Sequence, residues 1–440
     1  MRPQQFNIFL KKISWLQFFY KKGGHHAYFY LFLSFFAVST AVSAQVNSPE
    51  IDEGSTASDD SFFSSFRLNG QARLRYSHVN NDGFPNNANN LTLRGLVALS
   101  ASPFPKTDVL IEGEGVLAVV DDFNDGSPFD TDFPFIPDSD GIELNRAQIV
   151  TEIIPKTRLT LGRQRIVFDD GRFIGDSVFR QNNQTFDAVR SRIRFLETGF
   201  FDAAYIRNVL RPFGADSPVG RFNGDSYALN ANVQTPIGRV TGFHYALDLN
   251  TRDTPEPIST SSSQTTGVML RGRRHWDGKG LVWEAGYANQ RDFADNPLDY
   301  EADYFTGLLR GEIGGFRLTG KYESLGGSDE QGFQTPIASL RGFQGFADVF
   351  LITPVDGVED ISVQGGYKFG DIGPLKDVRG FVRHHWFSAA RGGQDYGTEL
   401  DGSISFSAGP VRAQIDLALY DSDGFASDSQ SVFLTLTRPF

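Results

Sequence analysis

Cysteine is absent from the 440 residues and methionine occurs only twice. Without thiols there is no disulfide framework, and no site in which Cys holds zinc or an iron–sulfur cluster. Apolar character is also low on average, with a mean hydropathy of −0.28. The apolar run at residues 27–38 is too short for a comfortable helical membrane span. A helical period is missing from everything that follows it. What the chain has instead is 41 Phe and 46 Gly, a composition that suits neither a helical bundle nor a disordered segment.

Residues 1–26 carry Arg2, Lys11, Lys12, Lys21 and Lys22 and no acid, and they lead into the 27–38 run. Small residues follow, and Val42, Ser43 and Ala44 supply what a signal peptidase requires just before Gln45. Residues 1–44 are therefore read as a cleaved signal peptide, 45–63 as an acidic, Ser-rich periplasmic linker, and 64–440 as the folded domain. Losing those five bases leaves 36 basic against 53 acidic residues, a formal charge of −17. Non-specific nucleic-acid binding is not expected of such a chain.

From Phe66 to Ser77 apolar or small residues alternate with polar ones throughout. Strict alternation is the mark of a strand with one apolar face. Comparable runs recur at 107–120, 225–234, 281–290, 315–325, 360–368, 399–407 and 411–420. Short Gly- and Pro-containing connectors, such as 102–105, 235–238, 277–280, 311–315 and 407–410, alternate with long polar ones at 78–90, 121–141, 167–185, 210–224, 250–264 and 326–359. That layout predicts an all-β fold, a transmembrane antiparallel β-barrel of about 18 strands with tight periplasmic turns and long outer loops. Closure in lipid satisfies every backbone group, whereas an open sheet of this size would leave edges and an exposed apolar face.

Parity then fixes where charge must point. In the first strand Leu68, Ala72, Leu74 and Tyr76 share one face, which leaves Arg67, Arg73 and Arg75 on the other. An Arg facing lipid at mid-bilayer costs about 2–4 kcal/mol, so the three are expected in the lumen. Arg190, Arg192 and Arg194 oppose Val189, Ile193 and Phe195, and Arg271 and Arg273 oppose Val268 and Leu270. Arg163 is a further candidate whose parity is ambiguous. Glu112, Glu114, Glu323, Glu399, Asp401 and Asp416 are candidate lumenal acids. Two readings of the lumen stay open: an anion-selective channel, and a mixed-charge porin with a transverse field.

Residues 121–140 hold Asp121, Asp122, Asp125, Asp130, Asp132, Asp138 and Asp140 without a base. Their spacing matches no calcium-loop motif, so a solvated acidic loop is expected and no metal or cofactor is assigned. His384, His385 and Ser388 invite comparison with lipid-modifying barrel enzymes. Their neighbours Trp386 and Phe387 favour an aromatic interface belt instead, and no catalysis is expected.

The stretches Leu161-Gly162-Arg163-Gln164, Phe173-Ile174-Gly175 and Arg180-Gln181-Asn182-Asn183-Gln184-Thr185-Phe186-Asp187 resemble the alginate-export family of outer-membrane barrels. So do the segment 332–340 with 346–351, and His385 to Ala389 with Tyr396-Gly397-Thr398-Glu399-Leu400-Asp401. The resemblance implies an eighteen-stranded barrel with an electropositive lumen passing anionic polysaccharide or oligosaccharide, fed in dedicated exporters by a periplasmic secretion complex. Every candidate periplasmic turn here is short, which favours an open channel over a gated exporter. The expected substrate-binding, pore-lining residues are Arg67, Arg73, Arg75, Arg163, Arg190, Arg192, Arg194 and Arg271. Expected partners are outer-membrane lipid and lipopolysaccharide, and the barrel-assembly machinery through the C-terminal Phe440. The alternatives are a weakly selective nutrient porin and a lipid-modifying barrel enzyme.

Overall fold

The computed structural model describes residues 66–126, 131–251 and 259–440. The signal peptide and linker expected at 1–63, and Asp130 of the acidic loop, lie outside the described residues. Eighteen antiparallel strands form one sheet. They are β1 (Arg67–Asn81), β2 (Ala88–Phe104), β3 (Thr107–Asp122), β4 (Gly141–Thr151), β5 (Thr157–Gln164) and β6 (Thr185–Phe195). Next come β7 (Gly199–Leu210), β8 (Arg221–Thr235), β9 (Gly238–Leu247), β10 (Ser263–Trp276), β11 (Lys279–Asp292) and β12 (Glu301–Ile313). The last six are β13 (Phe316–Gly326), β14 (Gly357–Ile372), β15 (Leu375–Ser388), β16 (Asp395–Ala408), β17 (Val411–Ser422) and β18 (Ser429–Pro439).

Each strand pairs with its sequence neighbours, and β1 pairs with β18 from Gln71↔Pro439 to Asn81↔Ser429, which closes the cylinder. Closure leaves no unpaired edge. Pro439 lies at the very end of its ladder, where a missing N–H costs little. The strands read from alternation are all present. The connectors also alternate as expected, because a tight hairpin such as that between β8 and β9 needs only two residues. There Gly238, at φ 130°, lets the chain turn where a Cβ would stand 2.5 Å from the carbonyl oxygen of Arg271.

Outward positions are mostly apolar and uncovered by protein. Phe316 is 62% exposed and Leu318 64%, with Ile111, Ile142, Leu309 and Val382 similarly placed. A continuous apolar girdle of this kind is stable only against acyl chains. The inward face differs from the simple polar lining that alternation predicts. Phe186, Phe243, Tyr245, Tyr304 and Phe387 point inward and are buried. Their partners are long connectors that fold into the barrel rather than standing outside it.

Two connectors dominate this filling, 165–184 between β5 and β6 and 327–356 between β13 and β14. They meet each other through a parallel bridge, Ile174↔Ile337. Two backbone bonds frame it, Gly175 N–H to Ile337 O at 2.9 Å and Ser339 N–H to Gly171 O at 2.9 Å. Phe173 packs against Phe243, Tyr304 and Phe333 beneath this junction. Phe350 packs in the same way on Phe387, Tyr396 and Phe425. A third connector, 123–140, joins them when Asn182 donates to Ser139 O at 2.9 Å. The long loops expected as outer polar loops are thus in part an internal plug with its own apolar core.

Candidate functional site

The charged residues that face the lumen include anchors of the infolded loops, ion pairs within the wall, and cations near the short-turn end that have no ion-pair partner among the described residues.

Arg73 and Arg75 on β1 belong to the first group. Arg73 donates through Nη1 to the carbonyls of Val178 at 3.0 Å and Arg180 at 3.2 Å. Arg75 reaches Asp138 Oδ2 at 3.4 Å and Thr435 Oγ1 at 3.3 Å, donates to Phe179 O, and lies over the Phe179 ring. Both guanidinium groups face inward as parity requires, and both tie down connectors. Arg67 shares their parity and stands exposed at the start of β1.

Four buried clusters repeat the same logic. Arg94 on β2 donates to Glu114 Oε2 at 2.9 Å, whose other oxygen accepts the Asn183 N–H at 3.1 Å. Arg146 on β4 forks onto Glu112 on β3 at 2.8 and 2.6 Å, and Arg165 of the 165–184 connector stands 3.7 Å from the same carboxylate. Glu323 on β13 is held by Arg172 at 2.9 Å, Tyr304 at 2.6 Å and Lys321 at 3.1 Å. On β15 and β16, Arg383 donates to Asp401 Oδ2 at 2.6 Å and to Gly342 O at 2.8 Å. Glu399 accepts the N–H groups of both Phe346 and Ala347. Gly345 can pass over this carboxylate only because it has no side chain. Arg341 lies over the rings of Phe179, Phe346 and Phe433 and pairs with Asp348 at 3.6 Å. Burial pulls its guanidinium down to about 10, still charged at neutral pH.

Arg190, Arg192, Arg194 and Arg271 lie inward on β6 and β10. Arg190 forks onto Asp202 at 2.8 and 2.6 Å. Arg192 stands 3.9 Å from the same carboxylate and over the ring of Phe200, which Arg194 also overlies. Arg271 is shared among Glu284 at 2.6 Å, Asp170 at 2.9 Å and Asp169 at 3.3 Å. Asp169 and Asp170 come from the 165–184 connector, and burial pushes the carboxyl of Asp169 up while Arg271 opposes the shift.

Arg163 requires a correction. It shares the outward parity of Leu161, and its register partner is Asp187. The two form a fork at 2.7 and 3.0 Å, to which Asn208 adds a bond at 3.0 Å. A neutralised pair at the loop-side end of β5 is tolerated on the outer wall where a lone Arg would not be. The site is therefore not pore lining.

His384 and His385 point to opposite faces of β15. His384 meets Trp386 edge-on, which is the aromatic-belt arrangement. His385 is buried inside, 2.7 Å from Asp360 and 3.5 Å from Asp401. Successive residues of a strand cannot share one site.

The third group lies toward the short turns. Arg194, Arg239, Arg273, Lys368 and Arg412 have inward parity, and none has an ion-pair partner among the described residues. The inward acids there are engaged: Glu312 with Arg317 at 3.4 Å, and Asp108 with Ser102 at 2.6 Å. A wall cavity of about 230 Å³ is lined by Arg317, Lys368 and Arg379 together with Gln364, Ser405 and Gln414. Sequence reasoning missed most of this set. Arg239, Lys368 and Arg412 each sit singly in their strands, without the Arg-x-Arg spacing that drew attention to β1 and β6.

No protein-family model matches the chain, and no curated protein matches it. Solved structures do. The chain is similar to Pseudomonas aeruginosa OccK9 (OpdG), at 14% identity and TM-score 0.67, covering 87% of this chain and 100% of that one. It is similar to P. aeruginosa OpdK with vanillate, at 15% identity and TM-score 0.62, covering 85% and 98%. It is also similar to Acinetobacter baumannii OccAB4, at 12% identity and TM-score 0.63, covering 86% and 98%. The likeness lies in the barrel fold. Closed strand topology, lipid-facing girdle and structural likeness together make this chain an eighteen-stranded bacterial outer-membrane β-barrel of porin architecture.

Proposed function

We propose that the barrel is a channel for carboxylate-bearing solutes, acidic oligosaccharides and comparable organic anions, and that it performs no chemistry on them. The observation that carries this reading is the set of lumenal cations without an ion-pair partner among the described residues, Arg194, Arg239, Arg273, Lys368 and Arg412, beside the cavity lined by Arg317, Lys368 and Arg379. A carboxylate leaving water exchanges part of its hydration for charge-assisted hydrogen bonds, and several weak sites in series let it move on. The infolded loops narrow the passage, which favours short chains and single organic acids over a long alginate-like polysaccharide. Vanillate, named with the similar OpdK, is an organic anion of that kind. On this reading the outer wall meets outer-membrane lipid and lipopolysaccharide, and Phe440 serves assembly.

A weakly selective porin is the second reading. It is favoured by the pairing of Arg190 with Asp202 and of Arg271 with Glu284, Asp169 and Asp170, which leaves little net charge at loop level. Reversal potentials across a planar bilayer with a KCl gradient separate the two. Anion preference that falls when Arg273, Lys368 and Arg412 are changed to Ala supports the carboxylate channel. Cation preference unaltered by those changes would refute it.

A further inference from the structure

The outer wall across β10–β16 is dented near the short turns. Trp276, Ile313, Phe316, Tyr367 and Phe369 form the sides, and Gly311 and Gly365 contribute to the floor of a groove of about 850 Å³. A Cβ added at either glycine would meet no atom within 4 Å. The glycines are therefore not demanded by close packing inside the wall, and the space they leave opens outward. Here the two open glycines stand among protruding Trp276, Ile313, Phe316, Tyr367 and Phe369, which gives the dent its walls.

Its mouth is basic. Lys279 lines the groove and Arg274 stands two residues before Trp276 on the same outward face. Neither has an ion-pair partner among the described residues. The acids nearby are Asp277, in the turn between β10 and β11, and Glu312, which lines the groove and is paired with Arg317 at 3.4 Å, so an excess of positive charge remains. Tryptophan at this level is where an amphipathic ring marks the boundary between acyl chains and headgroups.

We propose that this groove is a binding site for one anionic phospholipid of the periplasmic leaflet. An acyl chain lies over Gly311 and Gly365, and the phosphate group is held by Lys279 and Arg274. A concave patch argues for a chain rather than for a second copy of the barrel. In a two-fold pairing the same patch must complement itself, and two dents facing each other leave a void. Charge complementarity selects the headgroup, since Lys and Arg at the membrane surface attract anionic lipid.

The full-length barrel, delipidated in detergent and reconstituted with phosphatidylglycerol or phosphatidylcholine, tests the site by native mass spectrometry of retained lipid. Expected is one phosphatidylglycerol retained several-fold more than phosphatidylcholine. Lys279→Gln with Arg274→Gln removes that preference, and Gly365→Leu lowers retention of both lipids. Both glutamine substitutions lie on the exposed rim, so the double variant decides the matter if Gly365→Leu fails to fold. Equal retention of the two lipids by the unaltered protein overturns the proposal. So does a preference that survives the double variant, or a dimer that excludes lipid from the groove.

Discussion

Glu399 on the barrel wall accepts the backbone N–H of Ala347 at 2.8 Å, across 52 residues of sequence. A strand side chain thereby fixes the tip of a loop inside the lumen. Asp401, one inward position further along β16, receives Arg383, which in turn donates to Gly342 of the same loop.

Removing that latch should loosen the 327–356 connector without opening the wall. A hydrogen bond contributes about 0.5–1.5 kcal/mol net, and Glu399 makes more than one to the loop, so Glu399→Ala is expected to raise single-channel conductance and current noise. Far-ultraviolet circular dichroism should stay that of a β-barrel. Unchanged conductance would show that the loop is held without Glu399.

The Arg94–Glu114 pair predicts a different outcome, because both groups are almost fully buried. Arg94→Ala leaves the Glu114 carboxylate without its direct ion partner and should cost about 3–5 kcal/mol. Replacing both, Arg94→Met with Glu114→Leu, should recover most of that loss. Urea unfolding of the reconstituted barrel measures each value, and equal losses in the single and double variants would contradict the account.

Arg190 and Asp202 form the fork most easily split into opposite signs. Asp202→Ala frees a lumenal cation and should shift the reversal potential toward anions, whereas Arg190→Ala leaves the Asp202 carboxylate with Arg192 alone, 3.9 Å away, and should shift it toward cations. If both variants match the unaltered channel, permeating ions do not sense this part of the wall.

Ionic strength gives a prediction that needs no mutation. The screening length is about 8 Å at 0.15 M and about 3 Å at 1 M salt. Selectivity arising from Arg239, Arg273, Lys368 and Arg412 should therefore fade toward unity as KCl rises between those limits. A ratio constant over the range would point to a steric rather than an electrostatic filter.

Alternation alone placed the strands, the inward direction of Arg73, Arg75, Arg190, Arg192, Arg194 and Arg271, and the closure of the sheet, because side-chain direction in a strand has period two and lipid penalises an outward charge locally. Arg163 escaped that rule, since its tolerance on the outer face depends on Asp187, whose position opposite it is a matter of register between strands. The infolding of 165–184 and 327–356 was likewise decided only in three dimensions. Loop residues have no period, and the contacts that hold them, such as Arg172 to Glu323 across 151 residues, join segments that the sequence keeps far apart. Tertiary structure therefore turned six of the eight expected lumenal Arg residues, Arg73, Arg75, Arg163, Arg190, Arg192 and Arg271, into anchors for the plug or members of ion pairs. It also identified as free the cations that stand singly in their strands, because whether a charge is available depends on which neighbours the closed barrel brings to it.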